Sequence, residues 1–292
     1  MNLLPSYTAC IQRIYPDLAI GSAYLNQQGQ YNDVLVVNEA LIFRFAKVPA
    51  ALQTLRQETA ILRSIRDHIT LQIPDPVYHN LEGSVIGEAF VGYPMIPGKP
   101  LWRDLFRTID DPDVLETIAC QLATFLRELH AIPVEETIPI ALPVEDGLDT
   151  WVDMYARVRQ ELFPHMRPDA RAQVAEHFES YLADPLAYAF EPVLRHGDFG
   201  TGNLIYDPDA RRMAGVIDFG GAGLGDPATD MAGLLSSFGE PFLARCAAYY
   251  PAIEAASTRI HFYYGTFALQ EALFGIENGD RQAFASGMET FV

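Results

Sequence analysis

The chain has 292 residues, 49% hydrophobic and 20% charged, with 20 Lys and Arg against 38 Asp and Glu, a formal net charge of −18. That apolar share is enough for a sizeable core and excludes disorder for most of the chain, and the length suits one large domain or two smaller ones. A nucleic acid is not an expected partner, because holding a polyphosphate draws on clustered basic residues that are not in excess here; cationic partners are favoured.

In chain order, residues 20–25 (IGSAYL) and 33–37 (DVLVV) flank the polar stretch NQQGQYN, and Asn38-Glu39 then separates DVLVV from ALIFRFAK. Two polar breaks between short β-rich runs predict a three-stranded antiparallel meander. The segment from Ala50 to Ile69 reads as a helix, with Leu52, Leu55, Leu62, Ile65 and Ile69 recurring at steps of three and four. Glu58 falls on the same stripe, where a carboxylate is costly unless a cation meets it. Residues 84–96 (SVIGEAFVGYPMI) read as two further strands around Glu88, ending at Pro97-Gly98. That dipeptide marks the expected boundary between residues 1–97, a β-rich first part, and residues 98–292, a helical second part.

Beyond it, Pro112 to Leu129 is predicted helical, with Asp111 as cap, proline in the first turn and a stripe through Ile118, Leu122, Phe125, Leu126 and Leu129. Further helices are predicted over about 148–164, 168–183, 228–250, 257–275 and 280–290. One β-rich island interrupts them at 193–218, where the runs Leu204 to Tyr206 and Met213 to Ile217 are joined by the turn Asp207-Pro208-Asp209.

The island carries chemistry. Asp198 and Asn203 bracket Phe199-Gly200-Thr201-Gly202, and Asp218 follows the second run. Phosphoryl transfer from a nucleotide needs such a set: one carboxylate to receive or orient the proton of an attacking hydroxyl, and an oxygen-bearing pair to hold magnesium against the phosphates. The pattern H-x-D-x-x-x-x-N, followed 15 residues after the Asn by D-F-G, matches the catalytic loop and metal motif of kinases. Each residue alone also suits a turn or a helix cap.

HGDFGTGN, VIDFGGAGLGDPATDMA and the earlier LATFLRELHAIP resemble the aminoglycoside phosphotransferase family of small-molecule kinases. FVGYPMIPGKPL is similar to that family's interlobe hinge and IFRF to its nucleotide-contacting strand, so the resemblance covers essentially the whole chain. It implies an α+β, protein-kinase-like bilobal fold, with a small antiparallel β-sheet lobe holding one helix and a larger, mostly helical lobe. It also implies transfer of the γ-phosphate of ATP or GTP, bound with Mg²⁺, to a hydroxyl of a small cationic acceptor. By this resemblance Asp198 is the base or the residue that aligns the hydroxyl, and Asn203 and Asp218 are the Mg²⁺ ligands, hard oxygen donors that suit the ion. His196 supports the loop.

A cation of the first lobe should hold the phosphates and pair with a helix carboxylate. Alternation along ALIFRFAK puts Ile42, Arg44 and Ala46 on one face and Phe43 and Phe45 on the other. Arg44, paired with Glu58, stands where much of the family has lysine; Lys47 at the strand end competes with it. The chain has only two lysines, Lys47 and Lys99, so arginine use is general here. NQQGQYND is either a phosphate-contacting loop or an ordinary hairpin turn. At the hinge the Pro94 carbonyl can accept from a purine and the Ile96 N–H can donate to one. Tyr93 favours guanine over adenine if it closes the base pocket, and is otherwise a core aromatic. In GDPATD, Asp226 reads as a helix cap and Asp230 as a buried partner, while Cys120, Met154 and Tyr155 read as core and His130 as a helix-end residue.

For the acceptor, residues 1–100 hold 7 basic and 8 acidic side chains, and residues 101–292 hold 13 and 30. This is either a solvated acidic surface or an acidic cavity that collects a cation. Aminoglycosides are the first candidates, although MAGLLSSFGEPF carries Glu240 alone where such kinases often have an acidic cluster. YYGTFALQEALFGIENGD and ARVRQELFPHM are similar to kinases of the cationic peptide antibiotics viomycin and capreomycin, and a macrolide or another hydroxylated metabolite is a further option. Glu240, Glu271 and Glu277 are candidate amine contacts or solvated helix surface. A kinase-like protein that binds nucleotide without transferring phosphate is the other reading, favoured by Arg44 alone. Cys10, Cys120 and Cys246 are widely spaced without a C-x-x-C pair, there is no signal-peptide pattern, and no apolar stretch nears about 18 residues. A cytoplasmic monomer with no membrane partner is expected.

Overall fold

The computed structural model describes residues 3–26, 31–82 and 85–292. In chain order, the first half carries α1 (Leu4–Ile14), β1 (Ala23–Asn26), β2 (Asn32–Val37), β3 (Leu41–Ala46), α2 (Pro49–Ile65), β4 (Tyr78–Asn80), β5 (Phe90–Pro94), β6 (Lys99–Pro100), α3 (Arg103–Phe106), α4 (Pro112–His130) and α5 (Val134–Thr137). Then come α6 (Leu148–Arg157), α7 (Pro168–Leu182), β7 (Val193–Arg195), β8 (Leu204–Asp207), β9 (Arg212–Val216), β10 (Gly223–Gly225) and the helices α8 (Ala228–Phe238), α9 (Glu240–Ala247), α10 (Ala252–Ala255), α11 (Ser257–Asn278) and α12 (Arg281–Met288). They divide into two compact units, one of Met1–Val114, Ile132–Ala141 and Thr201–Ala222, the other of Leu115–Ala131, Leu142–Gly200 and Gly223–Val292. The chain therefore passes between the units several times, where the sequence reading has one boundary after residue 97.

The first unit is built on a five-stranded antiparallel sheet in the order β1-β2-β3-β5-β4. Its three leading strands and α2 lie where alternation and helical spacing place them. Two features differ from expectation. The segment after residue 84 is a turn rather than a strand: the Glu88 and Ala89 amides both fold back onto the Val85 carbonyl and cannot serve a ladder. The strand that pairs with β5 comes earlier, as the short β4. Ser84, where the expected strand begins, lies outside the described residues, as do Gln27 to Gln30 of the stretch read as either a phosphate-contacting loop or an ordinary hairpin turn.

The second difference is α1. Tyr7, Cys10 and Ile11 bury one short stripe against Leu35, Val37, Phe43, Phe45 and Phe90, with the Tyr7 ring stacked 4.0 Å from Phe45. Phe43 and Phe45 thus face α1, and their alternation turns Arg44 to the opposite face. A second sheet, β6-β8-β9, completes the unit, with Gln72 bridging to Gly215. Its β8–β9 hairpin carries Asn203 at its entrance and Asp218 at its exit.

The second unit is helical apart from the β7–β10 pair. Its core is aromatic: Tyr181 stacks on Phe262, and Tyr155 lies parallel to Phe178 with centroids 4.9 Å apart. Met154 and Tyr155 are buried as expected, whereas Cys120, also read as core, is only half-buried; Cys10 and Cys246 are buried, and all three cysteines are free. The helix expected over 228–250 is broken at Gly239, whose φ of 80° lies in the left-handed region that glycine adopts without strain. Pro241 then starts α9 in its first turn. No helix among the described residues is long and apolar enough to cross a membrane.

Candidate active site

In the first unit, β3, α2 and the segment after β9 bring three charged side chains together. Arg44 Nη1 lies 2.7 Å from Glu58 Oε1, and Arg44 Nη2 lies 3.2 Å from Asp218 Oδ1. Glu58 Oε1 also accepts from the Phe219 amide at 3.2 Å, and Gln57 Nε2 donates to the Ala222 carbonyl at 3.2 Å. One turn of α2 therefore holds both ends of the Asp218–Ala222 segment. Asp218 itself has a φ of 62°, an uncommon region for a residue with a side chain. The carboxylate predicted on an apolar helix stripe does meet its cation, as the cost of burying it requires.

Burial separates the roles available to these groups. The Glu58 side chain is 4% exposed and Arg44 12%, whereas Asp218 is 48% exposed. Burial alone would ease the proton off the guanidinium, but Glu58, Tyr93 and Asp218 outweigh it and hold Arg44 charged. Burial pushes the Glu58 carboxyl up, against the pull of Arg44 and the Phe219 amide. Lys47, the competing cation, is 3.2 Å from Asp33 Oδ1, a buried carboxylate that also accepts from the Tyr7 hydroxyl at 2.8 Å. It serves the α1 side of the sheet, and Arg44 stands with Glu58.

Asn203 is tied to the same segment, its carbonyl accepting from the Ile217 amide at 2.9 Å. Among the described residues no three of His, Cys, Asp and Glu form a metal cage. A pair consisting of an amide oxygen and a half-exposed carboxylate suits magnesium, which takes few protein ligands and completes its shell with water and phosphate.

At the hinge, the Met95 amide donates to the Ala40 carbonyl at 2.8 Å. Beside it Pro94, the last residue of β5, is exposed and Ile96 is buried. Tyr93 is buried among Ala46, Ala51, Leu55, Leu81 and Val91, and burial pushes its phenol up to about 12.

In the second unit Asp198 is exposed on a loop whose backbone is closely held. Its amide donates to His196 Nδ1 at 3.2 Å, and its carbonyl accepts from the Gly200 amide at 2.9 Å. The buried Asp230 accepts from the amides of His196 (2.8 Å) and Gly197 (2.9 Å) and pairs with His130 Nε2 at 3.1 Å. His130, read from sequence as a mere helix end, is a buried member of this network, its other nitrogen 3.1 Å from the Tyr250 hydroxyl. A histidine closing a strongly apolar helix is the signal that could have found it. Phe199 stacks on Phe125, and α8 presses Gly233 against the Phe199 carbonyl. Asp226 caps α8 through the Ala228 amide at 2.9 Å and binds Arg259 and Tyr263.

The three candidate amine contacts are not gathered. Glu240 pairs with His261 at 2.7 Å and Glu277 pairs with Arg157, both at the surface, while Glu271 is exposed on α11. At about 100° per residue, positions 261, 271 and 277 of α11 point in three directions.

A family model described as the phosphotransferase enzyme family matches residues 25–263. Viomycin phosphotransferase of Streptomyces vinaceus is 30% identical over 295 aligned positions, spanning 100% of both chains. Aminoglycoside 3′-phosphotransferase of Salmonella typhimurium is 31% identical over 149 positions, covering 50% of this chain and 51% of that one. Among solved structures, the GDP complex of aminoglycoside 2′-phosphotransferase-IIIa superposes with a TM-score of 0.90 at 28% identity, over 99% of this chain and 97% of that chain. Macrolide 2′-phosphotransferase type I gives a TM-score of 0.78 at 21% identity over 100% and 98%, a likeness of fold. The kinase-like α+β fold read from the motifs is therefore the fold of this chain, and the chain belongs to the phosphotransferase enzyme family.

Proposed function

We propose that this protein transfers the γ-phosphate of a Mg²⁺-bound nucleoside triphosphate to a hydroxyl of a cationic antibiotic, an aminoglycoside first. The observation that carries the reading is the Arg44–Glu58–Asp218 arrangement, a fixed cation flanked by one buried and one half-exposed carboxylate. Phosphoryl transfer is mostly positioning and charge stabilisation, so fixed groups of this kind are what the reaction asks of a protein.

Arg44 offers its fork to the phosphates, oriented by Glu58. Asn203 and Asp218 would hold magnesium, which when bound neutralises charge on the phosphates. Asp198 accepts a hydrogen bond from the acceptor hydroxyl, aims its oxygen at the γ-phosphorus and takes its proton as the new P–O bond forms and the bond to the β-bridging oxygen breaks. The nucleoside diphosphate leaves. The Pro94 carbonyl and Ile96 N–H read the base, with Tyr93 beside them, and the GDP complex of the 28%-identical relative supports guanine as an accepted base alongside adenine. Glu240, Glu271 and Glu277 are the amine contacts we would test, the first and last by exchanging His261 and Arg157 for the ligand. The full-length likeness to viomycin phosphotransferase favours, as a second reading, a cationic peptide antibiotic as acceptor. We place the protein in the cytoplasm as a monomer.

The test is a panel of aminoglycosides, viomycin and capreomycin, a macrolide, choline and simple sugars, each with ATP and with GTP, scored by release of nucleoside diphosphate and by product mass. Phosphorylation of an aminoglycoside or a cationic peptide selects between the two readings. Activity confined to choline or sugars would refute both, and no transfer to any acceptor would leave nucleotide binding alone.

A further inference from the structure

Resting on that reading of Arg44 as the phosphate-holding cation, one contact remains without a role. A guanidinium presents five N–H donors, against three for the ammonium common at this position in the resemblance drawn above. At 12% side-chain exposure, donors without acceptors are costly. Glu58 Oε1 meets Nη1 and Asp218 Oδ1 meets Nη2, on two sides of the fork.

The strand register supplies a third acceptor. Arg44 pairs with Val91 and Ile42 with Tyr93, so Tyr93 is the diagonal neighbour of Arg44 across β3 and β5, on the same face. A diagonal separation of about 7–8 Å is spanned by a tyrosine and an arginine. Tyr93 and Arg44 lie near enough that each acts electrostatically on the other. Tyr93 is 8% exposed and belongs to the core cluster of Ala46, Ala51, Leu55, Leu81 and Val91. A buried phenol in that setting needs a polar partner for its oxygen, and the guanidinium diagonally across the sheet is a donor within its reach.

We propose that Tyr93 is a positioning residue for Arg44: its phenol oxygen accepts from the guanidinium and, with Glu58 and Asp218, fixes the plane in which the fork meets the phosphates. Arginine at this place is then workable because the sheet brings an extra acceptor to it. The role is separate from any part the ring plays as a wall of the base pocket, since the hydroxyl alone performs it.

The experiment is a double-mutant cycle of Tyr93→Phe and Arg44→Lys, which keeps the ring and the positive charge. Affinity for Mg-ADP and Mg-GDP is measured by calorimetry, KM and kcat with ATP and with GTP, and urea unfolding without nucleotide. Tyr93→Phe is expected to weaken nucleotide binding about three- to tenfold, equally for both bases, and to have no effect once residue 44 is lysine. The unfolding midpoints should show the same non-additivity, a readout independent of catalysis and of the acceptor. An equal effect in both backgrounds, or a change in the adenine-to-guanine ratio alone, would overturn the proposal. Failure of every acceptor to react would sink the proposed function while the binding and unfolding cycles still decide this one.

Discussion

Asp198 is exposed, yet the groups that hold its loop are not: Asp230 and His196 are fully or nearly fully buried. In the proposed reading this contrast separates chemistry from support. Asp198→Asn should lower kcat by about a thousandfold and leave Mg-nucleotide affinity unchanged, because the amide cannot take the acceptor proton; coupled assays and calorimetry check the two halves, and a small kcat effect would remove Asp198 from proton transfer. Asp230 acts on stability. Burial alone would raise its carboxyl, but the hydrogen bond and charge of His130, with His196, hold it below the ordinary value of 3.8. A depressed folded-state value contributes stability that is present above the unfolded carboxylate range and lost as pH falls through the folded value. Urea midpoints should therefore decline from about pH 4 downward, and less steeply in Asp230→Asn, which should already have lost about 2 kcal/mol at neutral pH. Parallel curves for the two proteins would show that the charge contributes nothing.

The contact between α8 and the loop of Asp198 is backbone on backbone. A Cβ added at Gly233 would lie 2.4 Å from the Phe199 carbonyl oxygen, which has no flexible end to give way. Gly233→Ala should cost about 2 kcal/mol of stability and lower kcat by displacing the residue next to Asp198; wild-type melting and turnover would show that α8 is free to rise. Elements with long or repeated patterns were legible from the sequence: the stripe of α2, the alternation of β3 and the motif string around Asp198. Those set by few residues or by tertiary context were not. The stripe of α1 is three residues long, β4 has only three residues, and the break at Gly239 depends on one backbone angle inside an otherwise continuous apolar pattern. The site followed the same division. The pairing of Arg44 with Glu58 was readable because a charge on an apolar stripe is a local fact, and Asn203 and Asp218 could be named because a spaced motif is one too. The partners of His130, Glu240 and Glu277 lie 100 or more, 21 and 120 residues away, respectively, and no spacing rule reaches them.

Recounting the charge by structural unit softens the asymmetry seen along the chain without removing it. The first unit holds 11 basic and 17 acidic residues, a net of −6, and the second holds 9 and 21, a net of −12. A field of that sign speeds encounter with a cation and is screened by salt over about 10 Å at 0.1 M. KM for a cationic acceptor should therefore rise several-fold as KCl goes from about 20 to 300 mM, and much less for a neutral macrolide. A flat profile for the cationic acceptor would reduce the acidity to a solvating surface.

The interleaving of the chain also sets an order of assembly during synthesis. The segment Thr201–Ala222 belongs with the first unit, supplies the partner strand of Lys99–Pro100 and carries Asn203 and Asp218. When the ribosome has made residues 1–114, the sheet of that unit can form, but Arg44 lacks one of its two carboxylates and β6 lacks its neighbour. Roughly ninety more residues must be translated before the hairpin arrives. The segment with the two oxygen donors proposed for magnesium is thus the last part of the first unit to emerge, and nascent chains released before residue 218 lack the second carboxylate of Arg44.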